Sequence, residues 1–306
     1  MNFKDLRIIF MGTPEFAVAS LNELVESGCN IVGVITAPDK PAGRGMELQE
    51  SAVKKYAAEK GLTILQPEKL KNVDFLEKLA SLHADLQIVV AFRMLPEAVW
   101  NMPPMGTLNL HGSLLPQYRG AAPINWAIIN GEKYTGVTTF KLKHEIDTGD
   151  ILLSEKIAIS EDDNAGSLHD KMKETGAAVL LKTVIGLAEN TIKEHPQEAI
   201  DIKHAPKIFT ETCRIDWNKN CEKIHHLIRG LSPYPAAFTF LEGKKLKVFA
   251  VTKEIKTPLL LPGKFETDSK TFLRFTCADG YIGITDLQLE GKKRMKIEDF
   301  LRGYRF

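Results

Sequence analysis

The chain has 306 residues, 44% hydrophobic and 26% charged, with a net charge of +1. That length accommodates two domains with separate cores, and that composition excludes a disordered or fibrous chain. No apolar run reaches the ~20 residues needed to cross a bilayer, and Asp5 before the short run Leu6 to Met11 argues against a signal peptide.

The charge is unevenly placed. Residues 207–306 hold 19 Lys and Arg against 12 Asp and Glu, a net of +7, while residues 1–206 carry −6. A basic C-terminal third suits a polyanionic partner, and on charge alone an uneven surface fits equally well. The four cysteines, Cys29, Cys213, Cys221 and Cys277, form no Cys-x-x-Cys pair and have no histidine at zinc-finger spacing. Reduced thiols, a cytoplasmic setting and no bound metal are therefore expected.

Residues 7–11 predict a first strand. Thr13 is placed to cap the helix that follows, with Pro14 at its first position and Phe16, Leu21 and Leu24 on its apolar face, up to Gly28. Residues 31–36 predict a second strand. The dinucleotide fingerprint needs three spaced glycines, and only Gly12 is present, so a nicotinamide enzyme is a poor reading. Residues 37–47 form a long connection with Arg44 between two glycines. A functional loop and a solvent-facing excursion both fit it.

Helices are expected at 51–60, 75–82 and 167–189. Strands are expected at 63–65, 86–91, 107–111, 136–143 and 151–159. This alternation predicts an α/β fold with a doubly wound, mostly parallel sheet. Residues 191–206, with Pro196 and Pro206, read as a linker between a domain at 1–190 and another at 207–306. In the second, a helix at 221–231 precedes β-rich runs at 237–241, 246–252, 272–277 and 282–289, the pattern of a small barrel.

The chemistry concentrates at Asn109-Leu110-His111-Gly112. Side chains two apart on a strand share a face, so Asn109 and His111 point one way and Leu108 and Leu110 the other. A donor amide beside a titratable ring equips an acyl-transfer site: the amide steadies an oxyanion and the ring moves a proton. A polar pair that merely satisfies itself is the plain alternative. The pair sits at the end of a presumed parallel strand, where open α/β sheets place their sites. Downstream, Asp147 and Asp150 frame Thr148-Gly149. Either they form an ordinary turn, or one carboxylate meets His111. His144 is a rival base, with nothing polar patterned around it.

At these residues the chain resembles the methionyl-tRNA formyltransferase family. The resemblance runs nearly end to end: residues 7–17, Pro41-Ala42-Gly43-Arg44-Gly45, 108–123, Asp147-Thr148-Gly149-Asp150, 204–208, Arg214-Ile215-Asp216-Trp217 and Gly291-Lys292-Lys293. It implies a Rossmann-like domain followed by a smaller OB-like barrel that binds tRNA. It also implies transfer of the formyl group of 10-formyltetrahydrofolate to the α-amine of methionyl initiator tRNA. Asn109, His111 and Asp147 fall on the catalytic positions, and Ser113, Leu114, Leu115 and Pro116 on the folate-binding segment. Arg44 falls in a loop that engages the acceptor end of the tRNA. Lys244, Lys245, Lys247, Lys292, Lys293 and Arg294 become candidate phosphate contacts. A monomer suffices, with no membrane partner.

Two segments depart from the family pattern. Phe92-Arg93-Met94 replaces a common Tyr-Gly-x form beside the folate pocket, and Met46-Glu47 stands where relatives often carry lysines. The alternative activities are formylation of an amino-sugar nucleotide or purine precursor, or RNA binding without catalysis.

Overall fold

The computed structural model describes residues 2–42, 47–198 and 201–306. It divides into two compact units. One comprises 1–120, 136–157 and 169–204, the other 121–135, 158–168 and 205–306.

The first unit is built on a seven-stranded sheet. Its strands are β1 (Arg7–Gly12), β2 (Asn30–Ile35), β3 (Ile64–Leu65), β4 (Leu86–Val90), β5 (Thr107–His111), β6 (Tyr134–Lys141) and β7 (Ile151–Ala158), in the order β7-β6-β5-β4-β1-β2-β3. The five strands from β3 to β5 run parallel, and β6 joins β5 antiparallel. Parallel strands are covered on both faces, which is why Ile8, Ile9, Phe10 and Met11 are all fully buried. The first helix, Glu15–Glu26, begins one residue later than the sequence suggests. Pro14, not Thr13, is its N-cap, and no side chain caps it. Pro14 is in an extended conformation (ψ 175°), so its ring lies outside the helix instead of opening it.

Within the long connection after β2, Lys40–Ala42 pairs antiparallel with Glu47–Gln49. Arg44 and Met46 lie outside the described residues.

The second unit carries a curled antiparallel sheet, half of a barrel. Its strands are β8 (Ala237–Leu241), β9 (Lys244–Ile255), β10 (Phe265–Thr267), β11 (Leu273–Thr276), β12 (Gly280–Leu289) and β13 (Met295–Lys296), ordered β8-β9-β12-β11-β10 with β13 on β12. The helix Cys221–Leu231 packs its Ile224, Ile228 and Leu231 into the core of this sheet. Trp217 stacks on Phe275 at 4.7 Å and donates its indole N–H to Thr239 Oγ1, so it is a core residue. The same core brings together two thiols that lie far apart in sequence. Cys221 Sγ and Cys277 Sγ are 3.1 Å apart, with the Asp279 carboxylate beside them. Burial raises the Cys221 thiol pKa and keeps it protonated.

Candidate active site

The site lies at the C-terminal end of β5. Leu108 and Leu110 are buried on one side of the strand and anchor it, each burial contributing about 1.5–3 kcal/mol. Gly176 lets a helix approach closely there, since a Cβ at that position would lie 2.9 Å from Leu110 Cδ2. Asn109 and His111 share the opposite side and pair across to Phe140 and Thr138 of β6.

The imidazole of His111 is 7% exposed and clamped. Its Nε2 lies 2.9 Å from the carbonyl oxygen of Tyr118. A carbonyl only accepts, so Nε2 carries the hydrogen, and Nδ1 is the nitrogen free to exchange a proton. Tyr118 holds its carbonyl there from a left-handed backbone (φ 60°). The ring of Phe140 meets the imidazole edge-on at 6.5 Å.

Asp147 faces the free nitrogen, with Oδ2 3.9 Å from Nδ1. That is an ion-pair distance, beyond hydrogen-bond reach. The same oxygen accepts the backbone N–H of Gly120 at 2.9 Å. Asp147 is also left-handed (φ 56°), a conformation that Asp tolerates in turns better than most non-glycine residues do. Gly149 lets the turn run against β6, because a Cβ there would lie 1.6 Å from the Lys141 carbonyl oxygen. Asp150 instead pairs with Lys143, and His144 is exposed.

Asn109 differs from both partners. It is half-buried, and among the described residues no hydrogen bond engages its carboxamide. A tethered ring, a carboxylate at ion-pair distance and an uncommitted amide therefore meet at one strand end.

The segment after β5 is mostly structural. Ser113 is fully buried and donates to the Gln117 carbonyl, and Leu115 is buried. Leu114 packs on Gly136. Leu114 and Pro116 are only half-buried. Arg93, in the departing segment, donates to the carbonyls of Glu68 and Pro67. It lines a cavity of about 680 Å³ with Leu70, Leu76, Met94 and Leu95. That lining holds none of Asn109, His111 and Asp147, so the cavity is not assigned to the reacting groups.

Residues 6–184 match the Formyl transferase family, and residues 207–305 match the Formyl transferase, C-terminal domain. Methionyl-tRNA formyltransferase from Phocaeicola vulgatus is 56% identical over 316 residues, covering 100% of this chain and 98% of the relative. The Bacteroides fragilis protein of that name is 54% identical over 313 residues, covering 99% and 97%. The chain belongs to the methionyl-tRNA formyltransferase family.

Solved structures extend the likeness of fold. WlaRD, a sugar 3N-formyl transferase crystallised in the presence of dTDP and 5-N-formyl-THF, superposes with a TM-score of 0.68 at 20% identity, covering 94% of this chain and 99% of that one. HypX from Aquifex aeolicus, in complex with tetrahydrofolic acid, gives 0.66 at 20% identity, covering 97% of this chain and 48% of its own.

On the curled sheet, the Glu242-Gly243 turn has positive φ at both residues (47° and 80°), as a tight hairpin requires, and it leads directly into Lys244. Strand alternation buries Leu246 and Val248 and leaves Lys245 and Lys247 on the outer face. Phe238 pairs with Lys247 across β8 and β9, and Phe240 pairs with Lys245. Lys245 Nζ sits 3.9 Å from the Phe238 ring centroid, and the Arg214 guanidinium 5.8 Å from that of Phe240, which is 48% exposed. Composition did not single out Arg214 or Phe240.

Lys244, Lys292 and Lys293 are exposed. Arg294 is already engaged. It bonds Asp286 through two nitrogens at 2.8 and 3.0 Å and lies 4.1 Å from the Phe249 ring centroid. Lys296 adds a third contact to the same carboxylate.

Proposed function

We propose that this chain transfers the formyl group of 10-formyltetrahydrofolate to the α-amine of methionine carried by initiator tRNA, with Asn109, His111 and Asp147 at the reacting atoms. Family membership makes the chain a formyltransferase whose relatives carry methionyl-tRNA in their name. The observation that carries the catalytic reading is the uncommitted Asn109 carboxamide beside a clamped imidazole.

Attack by the neutral amine on the formyl carbon places negative charge on the former carbonyl oxygen. The Asn109 N–H groups are free to donate to that oxygen, and a group that needs no rearrangement to do so is worth most. His111 Nδ1 takes the proton the amine must lose and returns one to the departing nitrogen. The Asp147 carboxylate, at ion-pair distance from Nδ1, favours the charged form of the ring between those transfers. Tyr118 O keeps Nε2 protonated throughout, so only one ring nitrogen takes part.

The donor is a folate cosubstrate, bound with help from the half-buried Leu114 and Pro116 while Ser113 and Leu115 hold the segment in shape. In the second unit, Arg214, Lys245 and Lys247 lie on one face with the exposed Phe240 ring, a combination of cations and an aromatic ring that nucleic-acid-binding surfaces use, while the buried Phe238 backs Lys245. Lys244, Lys292 and Lys293 add exposed charge for phosphates. Arg44 reaches the acceptor end of the tRNA. The protein acts as a cytoplasmic monomer and needs no metal for this chemistry.

Formyl transfer measured side by side on charged initiator tRNA and on a nucleotide amino-sugar tests the acceptor. Turnover is expected on the tRNA alone, and turnover confined to the sugar would refute the proposal.

A further inference from the structure

Gln197 lies fifty residues after Asp147, in the stretch that composition reads as a linker. Its carboxamide uses every hydrogen-bonding position it has. Nε2 donates to the carbonyls of Asp147 (2.9 Å) and Gly149 (2.7 Å). Oε1 accepts from Arg119 Nε (3.1 Å) and Nη2 (2.6 Å). A primary amide has two donor hydrogens and one oxygen with two lone pairs, so the set is complete.

These bonds close a ring. Arg119 is followed by Gly120, whose N–H donates to the Asp147 carboxylate, and the carbonyl of Asp147 returns to Gln197. The turn that Gln197 grips is the one that carries the carboxylate facing His111. Asp147 is left-handed, and its carboxylate is 3.9 Å from His111 Nδ1. On the other side the turn abuts the Lys141 backbone at Gly149. Lys141 N–H also bonds the Asp150 carbonyl, which fixes the far end of the turn. Between these two anchors, only Gln197 bonds the carbonyls of Asp147 and Gly149 in the described hydrogen-bond network.

We infer that Gln197 is a positioning residue for formyl transfer: it holds the Asp147 carboxylate opposite His111 Nδ1 by bridging the Asp147–Gly149 carbonyls to Arg119. The inference rests on the catalytic reading of Asp147 given above. Gln197 touches no reacting atom. It acts by keeping a charge within ion-pair reach of the ring during proton transfer.

The Gln197→Glu variant separates the two halves of the bridge. It retains an acceptor for Arg119 and loses both donors to the turn, setting a carboxylate against two carbonyls. Full-length Q197E, Q197A, D147N and the double variant D147N/Q197E are assayed on charged initiator tRNA with 10-formyltetrahydrofolate, with thermal unfolding followed in parallel. Q197E is expected to lower kcat by about 10- to 100-fold, the cost of a misplaced catalytic group, with KM for tRNA unchanged.

The double variant is expected to be no slower than D147N, because residues acting as one unit are not additive. The pH–rate profile of Q197E should shift in the same direction as that of D147N. Multiplied losses in the double variant, or an unchanged kcat in Q197E and Q197A alongside a large loss in D147N, would overturn the inference and leave the catalytic reading standing. If D147N itself retains full turnover, the catalytic reading falls first and this inference with it. Should Q197E unfold, Q197A carries the same comparison.

Discussion

The two units treat their functional groups in opposite ways. At the end of β5 the chemistry is nearly all tied down: His111 to a carbonyl, Asp147 to a backbone N–H, its turn to Gln197. Of the three groups, only the Asn109 carboxamide is left without a hydrogen bond among the described residues. On the curled sheet most of the charge stands in solvent, and Arg294 alone among the expected contacts is bound bidentately to a buried carboxylate. Catalysis needs groups placed in advance, whereas attraction of a polyanion needs charge that is accessible. In both units, the residues to watch are those that the fold has not already engaged.

Removing the one uncommitted group in the site carries the largest expected effect. Asn109→Ala should lower kcat by about 10²–10³-fold, the usual loss on deleting one oxyanion donor, without a change in Tm. Single-turnover formylation under saturating substrates measures it directly. A variant within about threefold of the parent would place the oxyanion donor elsewhere.

A smaller effect is expected from loosening what is tied. Gly149→Ala forces a Cβ to 1.6 Å from the Lys141 carbonyl oxygen, so the turn must move and carry Asp147 with it. The expected loss is about 10- to 100-fold in kcat at unchanged KM for tRNA. A normal kcat would mean that the exact setting of Asp147 is unimportant, and the contrast between the two units would weaken.

On the curled sheet the contrast is tested by comparing free with engaged cations. The double change Lys292→Ala/Lys293→Ala should raise KM for tRNA several-fold and reduce the slope of log affinity against log salt by about 1 to 2, with no effect on unfolding. Arg294→Ala should do the reverse. It withdraws two bonds from Asp286, which is 6% exposed, at a cost of about 1–3 kcal/mol in stability, and leaves the salt slope nearly intact. Equal salt effects from both would show that Arg294 is as available as its neighbours.

The backbone of this picture was legible in the sequence, because burial leaves a periodic trace. The runs 7–11 and 107–111 could be read as strands, and the shared face of Asn109 and His111 followed from a two-residue repeat. What stayed hidden acts without a side-chain signature or from far away. The clamp on His111 is a main-chain carbonyl, which no residue type announces. Gln197 is one amide among polar residues, and its partners are 48 to 78 positions distant.

Arg294 looked like part of a basic run because its partner, Asp286, sits across a hairpin. The meeting of Cys221 and Cys277 likewise depends on the packing of a helix against the sheet, not on spacing. The strands Phe265–Thr267 and Met295–Lys296 are too short for alternation to register.

The last expected effect concerns pH and lies in the helix Cys221–Leu231, which packs on the core of the curled sheet. Its His225 ring is partly buried, and Nδ1 has no hydrogen-bond partner among the described residues. Burial, reinforced by Arg229, Lys253 and His226 and opposed by Glu222, lowers its pKa from 6.5 to about 4. The folded protein thus binds fewer protons than the unfolded chain between those values. The contribution to stability is present in full above pH 6.5 and is lost progressively as the pH falls toward 4. Thermal unfolding of the full chain should therefore move to lower temperature over that window, and His225→Leu should flatten the dependence. An unaltered slope in His225→Leu would assign the acid sensitivity to other groups, the neighbouring His226 first, whose pKa burial also lowers.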